Sequence, residues 1–298
     1  MDADKLTGLS LTALLACEKV APIQSKHDRL FNAERIRSSM KARALKQLAW
    51  VAAIILAGTD RCPAPPPMVT GDVPTPDKGT FESYVGVLYQ KNGGIERNLP
   101  FTELVYGLTD HWELSAELPF VSTGGHFGAG DFALGTKFAF LPETDQRPGM
   151  ALRYEAKFDN GDAERGLGSG GYEHLLRWHA QKTFGWFTPI INFGGIVVSD
   201  ARAGGARETR QNVLLANFEQ EWRVAKGTKL LSAINWKSSD MPGEPYRLAW
   251  NVGFKQKLCE GLFVHGAGGS SFRYHHQGGP EVRLYLGLEY DFDLRRKQ

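Results

Sequence analysis

Three cysteines in 298 residues are too few for a disulfide framework, and Cys17, Cys62 and Cys259 show no CxxC spacing. An excess of one charge is also missing. The 35 Lys and Arg stand against 33 Asp and Glu, and a net charge of +2 excludes a polycation built for nucleic acid. A long hydrophobic run is absent too. The apolar stretch Leu48–Gly58 falls well short of the ~20 residues a membrane helix needs. What the chain has instead is 34 glycines, 11% aromatic residues and 23% charged residues. That mixture suits an all-β chain with many turns. It suits a transmembrane barrel in particular, because every second strand residue there faces a wet lumen.

The N-terminal third carries signals of export. Lys41, Arg43 and Lys46 precede the Leu48–Gly58 run, and small residues and prolines follow. This is the layout of a secretory signal, here predicted over residues 40–62 with Met40 as the start and 1–39 as an upstream extension. A second pattern, residues 6–17, ends in Leu14-Leu15-Ala16-Cys17 and resembles a lipoprotein site, but its leading MDADK is net acidic. Arg61 stands where Cys62 would need a small neighbour for lipidation. Residues 63–78, PAPPPMVTGDVPTPDK, have no periodicity and read as a Pro-rich linker or a short plug.

From residue 79 the pattern changes to alternation. In LYLGLEYDF, Leu284, Leu286, Leu288, Tyr290 and Phe292 share one parity, and Tyr285, Gly287, Glu289 and Asp291 the other. A strand puts these sets on opposite faces. The same division recurs at 112–120, 131–140, 150–158, 213–223 and 247–257, and less cleanly at 80–90, 97–107, 173–184, 187–198, 228–238 and 262–271. Short turns at Thr109-Asp110-His111, Phe184-Gly185-Trp186, Lys226-Gly227 and Glu260-Gly261 alternate with longer loops at 122–129, 159–171, 199–211, 239–246 and 272–280. Trp112, Trp186 and Trp222 sit near short turns, and Trp236 and Trp250 flank a long loop, as interfacial girdles require. Trp178 is the mid-strand exception. A soluble sandwich would instead bury its tryptophans mid-strand. The expectation is all-β: a transmembrane antiparallel up-and-down β-barrel of about twelve strands over residues 79–292, with a polar tail at 293–298.

Two pieces carry a wider resemblance: YGLTDHWEL within LPFTELVYGLTDHWELSAELPFV, and GAGDFALGTKFAFL, followed by ALRYEAKFDNGD and GLGSGG. Over 99–292 the chain resembles the outer-membrane transporter family named for the meta-cleavage pathway of phenol degradation. Gly287-Leu288-Glu289-Tyr290-Asp291-Phe292 also resembles the C-terminal signal of outer-membrane proteins, although six residues follow the aromatic. Phe158-Asp159-Asn160-Gly161-Asp162 departs from the family's usual Leu-Pro-Thr-Gly before the Asp. The resemblance implies an outer-membrane channel for small solutes, hydrophobic or aromatic ones among them. It implies as partners outer-membrane lipid, the barrel assembly machinery and the solute, with no nucleic acid and no cofactor.

The polar parity nominates the residues of a pore. Glu117, Lys137, Arg153, Glu155, Lys157 and Arg177 come from the first half of the barrel region. Glu219, Arg223, Lys255, Arg283 and Glu289 come from the second. Both signs are present, so these side chains either pair with one another or line a narrow polar passage. An apolar solute would use aromatics instead, with Tyr84, Phe272, Tyr274 and Tyr285 as candidates. Some barrels hydrolyse lipids, but His174, His179, His265 and His275-His276 accompany no GxSxG, and Ser270-Ser271 make no nucleophile motif. No catalytic residue is nominated. His275-His276 would point to opposite faces if extended, a poor geometry for a metal site with Glu281, and Asp159, Asp162 and Glu164 are an ordinary acidic surface loop, so no metal ligand is nominated. The alternatives kept open are a membrane-embedded lipid hydrolase and a non-conducting structural barrel.

Overall fold

The computed structural model describes residues 71–293, apart from 93–94, 204–205, 240 and 274–281. The expected signal segment, the extension before it and residues 63–70 of the Pro-rich stretch lie outside the described residues, as do Cys17, Cys62, Tyr274 and His275-His276. Alternation fixes the class of structure. β1 (Thr80–Asn92) and β2 (Ile95–Thr109) form the first hairpin, and β3 (Trp112–Thr123) follows a tight turn. β4 (His126–Ala129) is a short return beside the end of β3. β5 (Ala133–Leu141), β6 (Gly149–Lys157), β7 (Glu173–Gln181) and β8 (Phe187–Val198) continue the meander. β9 (Ala201–Ala203) and β10 (Ala206–Glu208) make a separate small hairpin. β11 (Val213–Ala225), β12 (Thr228–Lys237), β13 (Arg247–Cys259), β14 (Leu262–Arg273) and β15 (Val282–Asp293) complete it.

The main sheet has thirteen strands, and leaving out the short β4 gives the twelve that form the ring. Pairing of β2 with β3, and of β1 with β15 from Thr80↔Asp293 to Lys91↔Val282, leaves no open edge. Closure is a requirement here, since an unpaired edge in hydrocarbon would strand backbone polar groups. Phe81 and Phe292 stack across the seam at 5.2 Å between ring centroids. Two connections expected as plain loops, 122–129 and 199–211, carry the β3–β4 and β9–β10 returns instead.

The two faces differ as the parities predict. Leu286 is 62% exposed and Phe193 56%, whereas Glu289 is fully buried. A water-soluble fold would have the reverse, so the exterior is that of a transmembrane barrel. Trp178 pairs with Leu152 and Phe193, both of them exposed, and so sits within the outward apolar band. Phe272 also points outward and is exposed, so it does not belong to a lumen path: the alternation puts its neighbour Ser271 inside.

Candidate functional site

The inward face is polar because the strands place charge on every second residue. Sequence reading nominated Lys137, Arg153 and Glu155, and the barrel brings them together with Glu103 and Glu113, which it did not nominate. Arg153 lies 2.8 Å from Glu155, 3.4 Å from Glu103 and 3.9 Å from Glu113, and its Nη2 also donates to the Ser115 hydroxyl. Lys137 lies 3.3 Å from Glu113. Nearer the long loops, Lys157 pairs with Glu173 at 2.7 Å, and Glu173 also accepts from Arg210 at 2.9 Å. Nearer the short turns, Lys255 pairs with Glu289 and Lys229 with Glu221, each at 2.7 Å. Arg177 lies directly opposite Arg153 and Gly194, and Arg283 opposite Gln90 and Gly269. Glu117 faces Glu103 across β2 and β3. Glu117, Glu219 and Arg223 make no ion pair among the described residues. The nominated charges are thus mostly held by partners, as burial demands: an unpaired charge in a dry interior costs several kcal/mol.

A second contribution comes from outside the strands. Residues 71–78, the end of the stretch read as a linker or short plug, run inside the ring as a strap. The Gly71 N–H donates to Asn192 Oδ1 and the Gly71 carbonyl accepts from Asn192 Nδ2, each at 2.9 Å. The same carbonyl lies 2.7 Å from His179 Nδ1. The Val73 N–H reaches Gln181, and Lys137 donates to the Pro74 carbonyl at 2.6 Å while pairing with Asp72. Thr75 and the Lys78 N–H both meet Asp110 in the β2–β3 turn. The strap therefore crosses from β8 past β7 and β5 to the start of β1. Val73 packs on Ala139 and Ala151. Burial raises the Asp72 carboxyl above its ordinary value, with Lys137 pulling it the other way. Gly107 passes against the Pro76 and Asp77 carbonyls, where any Cβ would collide with backbone. Beside the strap lies a cavity of about 100 Å³, lined by Asp72, Pro74, Gln181, Thr188, Arg223 and Lys229 among others.

At the opposite end, the long Gly-rich loop 159–171 is tied down. Asp131 accepts from the Gly161 N–H at 2.9 Å, the Ser169 N–H at 2.7 Å and the Ser169 hydroxyl at 2.8 Å, and Leu167 is buried. On the wall of β1, β2, β14 and β15 an aromatic group faces inward. Phe101 stacks on Tyr285 at 5.8 Å, and His265 lies between Tyr84 and Tyr285. Tyr84 and Tyr285 were legible as inward aromatics. Phe101 was not, because its strand begins in the irregular run ERNLPF. Asp72, Glu103 and Asn192 were also missed. The parity of Glu103 and Asn192 was available, but it takes the closed ring to bring Glu103 to Arg153 and the strap to show what Asn192 holds.

No protein-family model matches the sequence, and no curated protein matches it significantly. Among solved structures, the chain is similar to an outer-membrane channel from Pseudomonas putida F1, with a TM-score of 0.65, 17% identity, and coverage of 76% of this chain and 100% of that one. It is also similar to the NanC porin, with a TM-score of 0.54, 9% identity, and coverage of 70% and 98%. At these identities the likeness is one of fold, and the fold is the closed twelve-stranded antiparallel barrel of outer-membrane proteins.

Proposed function

We propose that the protein is an outer-membrane channel for passive or facilitated transport of small solutes, hydrophobic or aromatic ones among them, and that it is not an enzyme. The observation that carries this is the content of the ring. Among the described residues the interior holds charged pairs, amides and a crossing strap, with only small apolar clusters such as Leu231 with Ala233, so it is not a packed apolar core. A barrel of twelve strands has room for a passage between that of a side-chain-filled eight-stranded barrel and an open porin. Glu117, Lys137, Arg153, Glu155, Lys157, Arg177, Glu219, Arg223, Lys255, Arg283 and Glu289 are the pore-lining residues of this reading. The inward aromatics Tyr84, Phe101 and Tyr285 support an apolar solute.

The histidines favour this reading over a lipid hydrolase. His179 is engaged by the Gly71 carbonyl and His174 by the Tyr154 hydroxyl, at 2.7 and 2.8 Å. Purified protein reconstituted in planar bilayers should give discrete conductance steps and no labelling by a serine-reactive probe. A sealed bilayer would return the structural-barrel alternative, and active-site labelling the hydrolase.

A further inference from the structure

The paired charges leave a different set of inward groups without partners. One row of directly opposed residues crosses six strands, β7, β8 and β11 to β14, and carries no charge. His179 faces Asn192, Asn192 faces Asn217, Asn217 faces Asn235, Asn235 faces Ala249 and Ala249 faces Ser271. Apart from Ala249, every member is polar and at least nine-tenths buried; Asn217 and Asn235 are 5% and 8% exposed. The row also climbs. His179 lies two residues from the short-turn end of β7, at Gln181, and Ser271 two residues from the long-loop end of β14, at Arg273. Barrel strands tilt by about 40°, so a row perpendicular to them rises along the wall.

The lowest rungs are in use. Asn192 grips the Gly71 peptide group from both sides, donor to acceptor and acceptor to donor, and His179 takes the same carbonyl. The upper rungs offer the same chemistry. Asn217 Nδ2, both polar atoms of the Asn235 amide, and Ser271 Oγ have no hydrogen-bond partner among the described residues. Directly opposed side chains stand about 5 Å apart, so the rungs from His179 to Asn235 are each within reach of one small molecule, and the step past Ala249 to Ser271 is about twice as long. A buried amide or hydroxyl without a partner is costly, and a solute that supplies hydroxyl or amide groups removes that cost.

We infer that His179, Asn192, Asn217, Asn235 and Ser271 form a hydrogen-bonding rail that hands uncharged, hydroxyl- or amide-bearing solutes along the lumen wall between the long-loop end and the strap, an inference that rests on the channel function proposed above. The peptide group of Gly71 occupies the bottom rung as such a solute would. Ions gain little from the rail, because its groups are neutral. The strap end of the rail is where a moving solute must displace or pass the Gly71 contact.

The test is a comparison of fluxes through the full-length protein reconstituted in vesicles and bilayers. The probes are erythritol, followed by vesicle swelling, and KCl, followed by conductance. Asn217→Leu with Asn235→Leu keeps the branched outline of each side chain and removes its hydrogen bonding. Ser271→Ala is a smaller change that guards against misfolding, and heat-modifiable migration on gels checks the fold of each. Erythritol flux should fall about fivefold per lost rung, the worth of one neutral hydrogen bond, while KCl conductance stays within about twofold. Parallel loss of both fluxes in folded variants would make the row a spacer and overturn the rail. So would unchanged erythritol flux, which leaves water as the only occupant. A wild-type barrel that conducts KCl but excludes erythritol sinks the rail and leaves the channel standing. One that passes neither sinks the channel reading itself.

Discussion

Two walls of one lumen solve the same problem in opposite ways. On β3, β5 and β6, inward positions are charged, and each main charge has partners: Arg153 touches three carboxylates and Lys137 two. On β8, β11, β12 and β14, the row of Asn192, Asn217, Asn235 and Ser271 is uncharged, although Glu219 and Glu221 share β11 with it, and polar atoms of Asn217, Asn235 and Ser271 have no partner among the described residues. Desolvation accounts for the difference. A charge inside the ring is costly unless partners share it, whereas a neutral amide can wait for water or a solute at a cost of about 1–3 kcal/mol. The charged wall is therefore read as scaffold, and the neutral wall as the surface with capacity to spare.

This contrast breaks most visibly at Arg153. Arg153→Met strips Glu103, Glu113 and Glu155 of their shared cation and should destabilise the barrel by about 3 kcal/mol, read as an earlier urea unfolding transition in lipid vesicles. An unchanged midpoint would mean the network is solvated enough to count as surface. Lys255→Met leaves Glu289, fully buried, without its 2.7 Å partner and should cost about 2–3 kcal/mol by the same measurement. Lys137→Met acts on the strap as well as the wall, since it removes the contacts to Asp72 and the Pro74 carbonyl. Its single-channel conductance should rise and fluctuate as the strap loosens, and a steady wild-type value would show that His179, Gln181, Asn192 and Asp110 hold the strap without Lys137.

On the neutral wall the expected effect on stability is small. Asn235→Leu removes a buried amide with no partner among the described residues and should raise stability by about 1 kcal/mol, because its desolvation cost goes with it and no hydrogen bond is lost. A large loss would show that the amide is bound to ordered water that matters. Glu219→Gly is the mildest change. It deletes an inward carboxylate next to Asn217 on β11 that has no ion pair among the described residues. Cation preference in a reversal-potential measurement should weaken, while an identical ratio would remove Glu219 from the pore-lining set.

Much of the barrel was legible because its signal is local. Period-two alternation depends only on neighbours in the chain, and in β15 it sorts Leu286 from Glu289 without knowledge of any partner strand. Parity likewise placed Lys137, Arg153 and Lys255 inside. The site was less legible because pairing is not local. Asp72 meets Lys137, 65 residues on, and Gly71 meets Asn192, 121 residues on. Phe272 shows the limit in the other direction: it was grouped with the inward aromatics by residue type, and the parity of its strand turns it to lipid.

By itself the chain determined its class, its strand number and the two faces of each strand, because backbone geometry converts residue order into alternating sides. Only the tertiary structure decided which inward residues meet. Closing the ring sets the register of twelve strands at once, and register aligns His179, Asn192, Asn217, Asn235 and Ser271 into one rising row from segments that share no sequence pattern. Closure also turned the end of a proline-rich stretch into a strap, since its residues 71–78 find hydrogen-bond partners on β5, β7 and β8 and in the β2–β3 turn.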